Sequence, residues 1–590
     1  MINLTINNKK ISAAPGTTIL EAAKQNGINI PTLCYLEGVH KFGSCRICSV
    51  EVEGARTLQV ACMAEIREGM VVRTNTKKVQ KTRKVLYELM LSDHSKNCLS
   101  CNRNQSCELQ QLGNTLGITE NRFTTGSARE QLDISPAITR DLSKCIFCRR
   151  CVTACREIQG VGILDAQNRG FDSLIAPAMD RSINDAKCAF CGQCTVVCPV
   201  GALKETDHTA RVWDAINNPE LRVVMQPAPA VRVALGEMFG YPAGTSVTGK
   251  MAAAIRALGV DDVFDTDWAA DLTIMEEGTE FLHRATDVLT GKKAVLPMIT
   301  SCSPGWIKYI ESYYPQLLPH LSTCKSPHMM LGALAKTYYA EKIEVEPEKM
   351  YTVSVMPCTA KKFEASREEM VNRDVCNVDA VLTTRELGQM IQQAGIDFRS
   401  LADEKFDDPM GESTGAADIF GVTGGVMEAA IRTVYAIITG RELPFEGLHI
   451  APIIGLNQIK EATLKFENVL PQYDMFEGFE VKIAVTSGLT GAKILMEQIL
   501  AGDSPYHFIE VMGCPGGCIC GGGQPRSNDP DVRIKRLKAL YREDESKIIS
   551  QSHLNPSIIA LYRDYLGKPG GHLAHELLHT HYVDRSRENE

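Results

Sequence analysis

The sequence predicts a multidomain protein of mixed α/β and α+β class: three small cysteine-rich modules, then one large α/β catalytic domain. Three observations predict it. A chain of 590 residues exceeds what one hydrophobic core supports. Every C-x2-C pair lies before residue 199. Beyond residue 221 such pairs are absent, and apolar strand-like runs such as 351–356 alternate with helical stretches, the pattern of an α/β domain.

Composition narrows the function. Hydrophobic content of 44% and charged content of 23% are those of an ordinary globular protein. A formal charge of −8 gives no basic footprint for nucleic acid. Residues Met1-Ile2-Asn3-Leu4-Thr5-Ile6 read as a short alternating strand, neither signal nor transit peptide. No run of about 18 apolar residues suggests a membrane span, so a cytoplasmic protein is expected. The 22 cysteines are the informative feature. A disulfide framework belongs to short secreted chains, whereas tight x2 and x3 spacings in a long chain point to metal binding in a reducing compartment. Nineteen fall into such groups, leaving Cys324, Cys376 and Cys520 over.

The first module, residues 1–78, opens with Ile2, Leu4 and Ile6 alternating, a turn at Asn7-Asn8-Lys9-Lys10 and a second short strand. Thr17-Thr18 can cap a helix over 19–25 that Gly27 stops. Strand, turn, strand and helix before cysteine loops describe a β-grasp module. Its cysteines, Cys34, Cys45, Cys48 and Cys62, are spaced C-x10-C-x2-C-x13-C. Four thiolates suit a 2Fe–2S cluster, and the loop Gly43-Ser44-Cys45-Arg46-Ile47-Cys48 lets backbone approach the sulfides. A four-cysteine zinc site is the alternative. The loop is similar to the 2Fe–2S domain that opens the large iron–sulfur subunit of respiratory complex I.

A charged helix over 77–91 leads into the second module, residues 79–120, with His94, Cys98, Cys101 and Cys107 in an H-x3-C-x2-C-x5-C array. One imidazole and three thiolates can hold a 4Fe–4S cluster; taken alone they also suit zinc. The third module, residues 138–209, carries C-x2-C-x2-C-x3-C twice: Cys145, Cys148, Cys151 and Cys155, then Cys188, Cys191, Cys194 and Cys198, followed by Pro199. In two-cluster ferredoxins the fourth cysteine of each run ligates the other cluster. One 4Fe–4S cluster should therefore take Cys145, Cys148, Cys151 and Cys198, and the other Cys155, Cys188, Cys191 and Cys194. Four clusters in series make a wire, so chemistry must lie further on.

Three separated segments hold the remaining grouped cysteines: Thr300-Ser301-Cys302-Ser303-Pro304-Gly305-Trp306; Met356-Pro357-Cys358-Thr359-Ala360-Lys361-Lys362-Phe363-Glu364; and Glu510-Val511-Met512-Gly513-Cys514-Pro515-Gly516-Gly517-Cys518, running into Gly521-Gly522-Gly523. Glycine and proline crowd them, as where backbone wraps a bulky cofactor. These segments resemble the three signature motifs of the FeFe hydrogenases, TSCCPxW, MPCxxKxxE and ExMxCxxGCxxG. The likeness runs over 221–582, including Phe420–Met427 (FGVTGGVM) and the tail His575-Glu576-Leu577-Leu578-His579. With the N-terminal modules it covers essentially the whole chain and implies a large multicluster member of that family.

The resemblance implies an H-cluster: a 4Fe–4S cubane joined to a diiron unit with CO, cyanide and a bridging azadithiolate. Cys358, Cys514 and Cys518 would ligate the cubane, Cys518 also bridging to the diiron unit. Lys361 would hydrogen-bond a cyanide. Met356, Met512, Ala228 and Pro229 would wall the diiron unit. Glu277, Ser322, Glu280 and Arg284 would pass protons, Glu277 and Glu280 being i,i+3 neighbours on a helix. One position departs from the family. Its usual pair is a proton-relay thiol followed by a cubane ligand, and here the second residue is Ser303. By strict register Cys302 is the relay and serine oxygen meets the cubane. Alternatively Cys302 ligates and Ser303 replaces the relay thiol. We expect the second arrangement, because thiolate is the usual iron–sulfur ligand.

The implied activity is reversible H2 oxidation and proton reduction. The complex-I-like start implies a catalytic subunit partnered by a flavin/NAD(P)-binding subunit and a small 2Fe–2S subunit, bifurcating electrons between NAD(P)H and ferredoxin. A stand-alone ferredoxin-dependent hydrogenase and an H2-sensing, non-catalytic H-cluster protein are the alternatives. Gly421-Val422-Thr423-Gly424-Gly425 lacks the G-x-G-x-x-G spacing of a dinucleotide site.

Overall fold

The computed structural model describes residues 1–123, 131–443, 459–527, 529 and 531–587, the Phe171 side chain excepted. The chain divides into two compact units. One comprises Met1–Ile158, Gly162–Ala186 and Gln193–Lys204; the other comprises Gln159–Val161, Lys187–Gly192 and Glu205–Glu590. None of the 22 cysteines forms a disulfide, which removes the framework alternative. Among the described residues no helix is long and apolar enough to cross a membrane.

In the first unit, Ile2–Ile6 and Lys9–Ala13 form an antiparallel hairpin around Asn7 and Asn8. Both turn residues have positive φ (50° and 69°), which matches strand twist and which asparagine tolerates. Ile2–Ile6 also pairs in parallel with Val71–Arg73. The resulting five-stranded sheet runs Lys9–Ala13, Ile2–Ile6, Val71–Arg73, Ser49–Val52, Gln59–Val60. The helix Ile19–Gln25 closes over it. Thr18 caps that helix and Glu21 reciprocates, a capping box contributing about 1 kcal/mol. Leu4, Ile6, Ile11 and Ile19 are buried between them. The helix Lys77–Ser92 buries Val79 and Tyr87, and its Arg83 donates to the carbonyls of Ile47 and Ser49 at 3.0 Å each. A charged side chain thereby fixes the loop that carries Cys45 and Cys48.

The second unit holds two four-stranded sheets. The first runs Asp262–Val263, Arg222–Pro227, Met350–Met356, Ala380–Thr383, all parallel. The second runs Met298–Ile299, Phe508–Met512, Glu480–Ser487, Ile459–Lys465; its first three strands are parallel and the last antiparallel. Strands such as Met350–Met356 and Phe508–Met512 are buried almost throughout, as parallel strands covered on both faces must be. The 24-residue helix Thr266–Leu289 packs against Pro327–Leu334 and Gly425–Thr439. The helix Val532–Ser546 is held by ion pairs: Arg536 to Glu237 at 2.7 Å and Arg432 to Asp544 at 2.9 Å.

Beneath the first sheet, Arg232 is 1% exposed and reaches Asp265 (2.7 Å), Asp267 (3.0 Å) and Asp418 (3.2 Å). Removing one side of such a buried cluster leaves charge uncompensated, at a cost of about 3–5 kcal/mol. Arg232→Ala should therefore lower the unfolding free energy of the second unit, extrapolated from urea titration, by that amount. Tryptophan fluorescence reads this unit alone, because Trp213, Trp268 and Trp306 all lie in it.

Candidate cluster sites and active site

In the first unit Cys34, Cys45, Cys48 and Cys62 are all buried. The Cys34 thiol lies within hydrogen-bonding reach of Cys45 and Cys62, and Cys48 within reach of Cys62. Cys98, Cys101 and Cys107 adjoin them in sequence order, and His94 Nδ1 is a buried nitrogen without a hydrogen-bond partner. A buried imidazole nitrogen without a partner, on the segment that leads into Cys98, Cys101 and Cys107, fits a ligand better than a core histidine. Cys145, Cys148, Cys151 and Cys198 line one apolar cavity, the set that interleaved runs require. Of the other interleaved set, Cys155 and Cys194 fall in the first unit and Cys188 and Cys191 in the second.

Arg150 has no motif signal, yet it ties three cluster loops together. Its guanidinium donates twice to Glu108 at 2.8 Å and to the Tyr35 carbonyl at 3.1 Å. Tyr35 follows Cys34, Glu108 follows Cys107, and Arg150 precedes Cys151. His40 adds a second tie, pairing with Thr153 at 2.6 Å and the Cys148 carbonyl at 3.1 Å. Such contacts hold the loops that carry Cys34, Cys107, Cys148 and Cys151 at fixed spacing.

In the second unit the candidate active-site residues follow the carboxyl ends of parallel strands. Arg222–Pro227 runs into Ala228 and Pro229, Met350–Met356 ends on Met356 before Cys358, Met298–Ile299 precedes Cys302, and Phe508–Met512 ends on Met512 before Cys514. This is where open α/β sheets place ligands. Cys358 and Cys514 lie within hydrogen-bonding reach of one another. The Cys518 loop is held by close backbone approach. Gly517 has φ 88°, and a Cβ on Gly521 would lie 2.1 Å from the Pro357 carbonyl oxygen.

Cys302 and Ser303 face different neighbours. The Cys302 thiol is raised well above the ordinary thiol range, by burial first and then by Glu277, with Cys518 and Glu510 adding. It packs at the edge of the buried apolar cluster that contains Met427 and Met512. Ser303 Oγ instead accepts the Gly513 N–H at 3.0 Å, beside Cys514.

Lys361, on the helix Ala360–Ala365, donates to the Cys302 carbonyl at 3.0 Å and to Glu364 Oε2 at 2.8 Å. Glu364 also meets His328 Nε2 at 2.8 Å, and His328 Nδ1 meets Ser354 Oγ at 3.0 Å. Burial opposes the Glu364 charge, but Lys361 and His328 outweigh it and hold the carboxyl at about 2. Burial and Lys361 bring His328 down to about 4. A neutral histidine and an ionised glutamate thus aim one ammonium group. Glu364 ends the MPCxxKxxE-like segment but carried no role from sequence, and His328 gave no sequence signal.

Glu277 and Glu280 both stand on Thr266–Leu289. Glu277 is fully buried, and both its carboxyl oxygens lack hydrogen-bond partners. Burial pushes it up to about 8, with Ser322 opposing and Glu280 adding. One turn on, Glu280 Oε2 accepts from Ser322 Oγ (3.3 Å), Thr323 N (2.9 Å) and Thr323 Oγ1 (3.0 Å). Glu280 Oε1 pairs with Arg284 at 2.5 Å, where side-chain exposure reaches 13% and 16%. The four residues form a graded series from dry interior to surface. Glu510, given no role in sequence, accepts from Gly424 N (2.6 Å) and Met427 N (2.7 Å), and burial pushes it up to about 7. It satisfies the start of helix Gly425–Thr439, which explains the glycine-rich FGVTGGVM segment.

Family models match in chain order. The 2Fe-2S iron-sulfur cluster binding domain covers 1–77, the NADH-ubiquinone oxidoreductase-G iron-sulfur binding region 83–122, and the NADH-quinone oxidoreductase subunit 3 ferredoxin-like domain 135–204. The iron only hydrogenase large subunit, C-terminal domain, covers 221–522, and the iron hydrogenase small subunit 530–585. The NADP-reducing hydrogenase subunit HndD of Solidesulfovibrio fructosivorans is 49% identical over 595 residues, spanning 100% of both chains. Iron hydrogenase 1 of Clostridium pasteurianum is 40% identical over 590 residues, 99% of this chain and 100% of its own. The solved iron–iron hydrogenase HydA1 from Chlamydomonas reinhardtii superposes with a TM-score of 0.58 at 42% identity, covering 64% of this chain and 99% of that one. A catalytic portion matched over 221–522, on a chain that two hydrogenases parallel end to end, makes this an iron-sulfur enzyme of the iron–iron hydrogenase family, interconverting H2 with protons and electrons.

Proposed function

We propose that electrons reach the active site through one 2Fe–2S and three 4Fe–4S clusters, and that protons reach it through Cys302, Glu277, Ser322, Glu280 and Arg284. The relay modules are 1–78, 79–120 and 138–209, and the catalytic domain is 221–582. Cys358, Cys514 and Cys518 would hold the H-cluster cubane, Cys518 also bridging to the diiron unit. The observation that carries this is the pair of thiols Cys358 and Cys514 brought together after two parallel-strand ends, with Cys518 on the same loop as Cys514 and an ammonium braced by Glu364 nearby. The donor set fits an anionic iron–sulfur cofactor: soft thiols, a cation for cyanide, and apolar Met356, Met512, Ala228 and Pro229 as walls. When bound, that cofactor supplies the electron exchange with H2.

For Cys302 and Ser303 we favour the strict register, reversing the expectation from ligand chemistry alone. Cys302 faces Glu277 and Cys518, and Ser303 sits against Gly513, next to Cys514. Cys302 would then hold a proton at Sγ and pass it to Glu277, whose raised pKa keeps a proton available near neutral pH. Ser303 Oγ would occupy the cubane's fourth corner.

The companion proteins follow from the modules. HndD is named as an NADP-reducing subunit, and in this chain the Gly421–Gly425 segment serves Glu510 rather than a phosphate. Flavin and NAD(P) chemistry would sit on a partner subunit, with a small 2Fe–2S subunit between them and ferredoxin as second acceptor, in the cytoplasm. Affinity purification from native cells should bring down a flavoprotein; full activity with ferredoxin alone, unaltered by NADH, would exclude the complex.

Cys302→Ala should lower turnover by about 10²–10⁴-fold while the infrared CO and cyanide bands and the iron content stay. Loss of the cubane in that variant would return Cys302 to the ligand role. Ser303→Cys should keep turnover and raise the cubane midpoint potential, since thiolate is softer than serine oxygen. Glu277 gives a third test. Its folded-state pKa lies above the ordinary 4.5, so the native state holds the proton more tightly. The stability cost is absent below about pH 4.5 and grows as pH rises towards 8, approaching about 5 kcal/mol. Glu277→Gln should abolish most turnover, yet raise the unfolding temperature of the second unit increasingly from pH 5.5 to pH 8 by tryptophan fluorescence. A difference independent of pH would contradict the buried neutral acid.

A further inference from the structure

Cys324 lies outside every motif. It is 1% exposed and sits against the long helix. The chain's tail returns to pair with this segment: Cys324 and His579 form an antiparallel bridge, Lys325 N donates to the Leu578 carbonyl, and Thr580 N to the Thr323 carbonyl, both at 2.8 Å. That pairing brings Glu280, Cys324 and His579 together, with one donor atom from each within 4.8 Å of the others. Cys324 Sγ is 3.9 Å from Glu280 Oε2. Arg284 occupies Glu280 Oε1, leaving Oε2 to face the thiol.

A second feature points to a metal. His579 Nε2 lies 3.0 Å from Glu276 Oε2, and Glu276 is itself held by Tyr562 and by the Gly570 N–H at 2.8 Å. Metal-binding histidines characteristically spend their second nitrogen on a carboxylate, which fixes the ring and frees the other nitrogen as a lone-pair donor. Here that other nitrogen, Nδ1, lies 2.8 Å from Thr323 Oγ1, whose single proton serves either Nδ1 or Glu280 Oε2, so the nitrogen faces the side of Glu280.

We propose that Glu280, Cys324 and His579 form a binding site for zinc or a similar borderline-soft divalent cation, unrelated to the iron–sulfur clusters. One oxygen, one sulfur and one nitrogen are the donor types zinc takes, and tetrahedral binding needs donors about 3.5 Å apart, within small rotamer changes of those found. Binding displaces the thiol proton to solvent. Thiolate and carboxylate then neutralise the dication, so the buried site carries no net charge, and a fourth position stays open for water. Entry is by way of Glu280, the partly exposed member. The consequence for turnover rests on the proton route proposed above: a metal on Oε2 takes the lone pairs that accept from Ser322 and Thr323, and protons stop at Ser322.

The test uses the intact, maturated enzyme with its full iron content and zinc ion alone. Competition against a chromophoric chelator should find one zinc site per chain that Cys324→Ala and His579→Gln each remove. Glu276→Gln, which leaves all three donors, should weaken it about 10–100-fold. H2 turnover should fall over the same zinc range, with Cys324→Ala resistant. Zinc binding equally to Cys324→Ala and wild type overturns the site. Binding as described with turnover unchanged upholds the site and overturns the proton route.

Discussion

Parallel strands all end on the same edge, and the catalytic unit is organised by that constraint. In its two four-stranded sheets the parallel strands deliver their loops in one direction, so candidate site residues from 228 to 518 follow like strand ends although they are distant in sequence. Such strands are buried on both faces. Glycines at 517 and 521 let loops close against each other there, leaving no space for a Cβ. Thiols set on such loops inherit the rigidity of the strands that carry them.

Electrostatics inside this edge are divided by function. Near Lys361 the charges are complete: an ionised carboxyl faces an ammonium, and a histidine is kept neutral beside them. Along Thr266–Leu289 the opposite holds: Glu277 has no cation beside it, and burial outweighs what Ser322 offers its anion. The first arrangement suits a group that must stay charged and fixed. The second suits a group that must gain and lose a proton. Two glutamates a single helical turn apart, 277 and 280, differ only in what surrounds them.

Local structure was legible in the sequence wherever short-range chemistry decides it. The helix at 19–25 and its threonine cap, the asparagine turn at 7–8, and the strand ending at Met356 were all written in neighbouring residues. The helix after residue 77 runs one residue beyond its expected end. Cysteine spacing pointed to the iron-sulfur modules that the family models match, because a metal imposes its own geometry on sequence. What stayed hidden was long-range. His328 reaches Glu364 over 36 residues, and Arg150 reaches Tyr35 over 115. No periodicity encodes such contacts, and arginine beside a cysteine reads as an ordinary surface charge.

The helix Val532–Ser546 belongs to a segment whose family model is that of a small subunit. In this chain it is continuous with the catalytic domain, and its ion pairs to Glu237 and Arg432 are intramolecular. Two separate chains would lose translational and rotational freedom on docking, a cost of about 4–15 kcal/mol. A covalent tether removes that cost and replaces concentration with a fixed local excess. The fused chain therefore needs no matched synthesis of two polypeptides, and dilution cannot strip this part of the catalytic wall away.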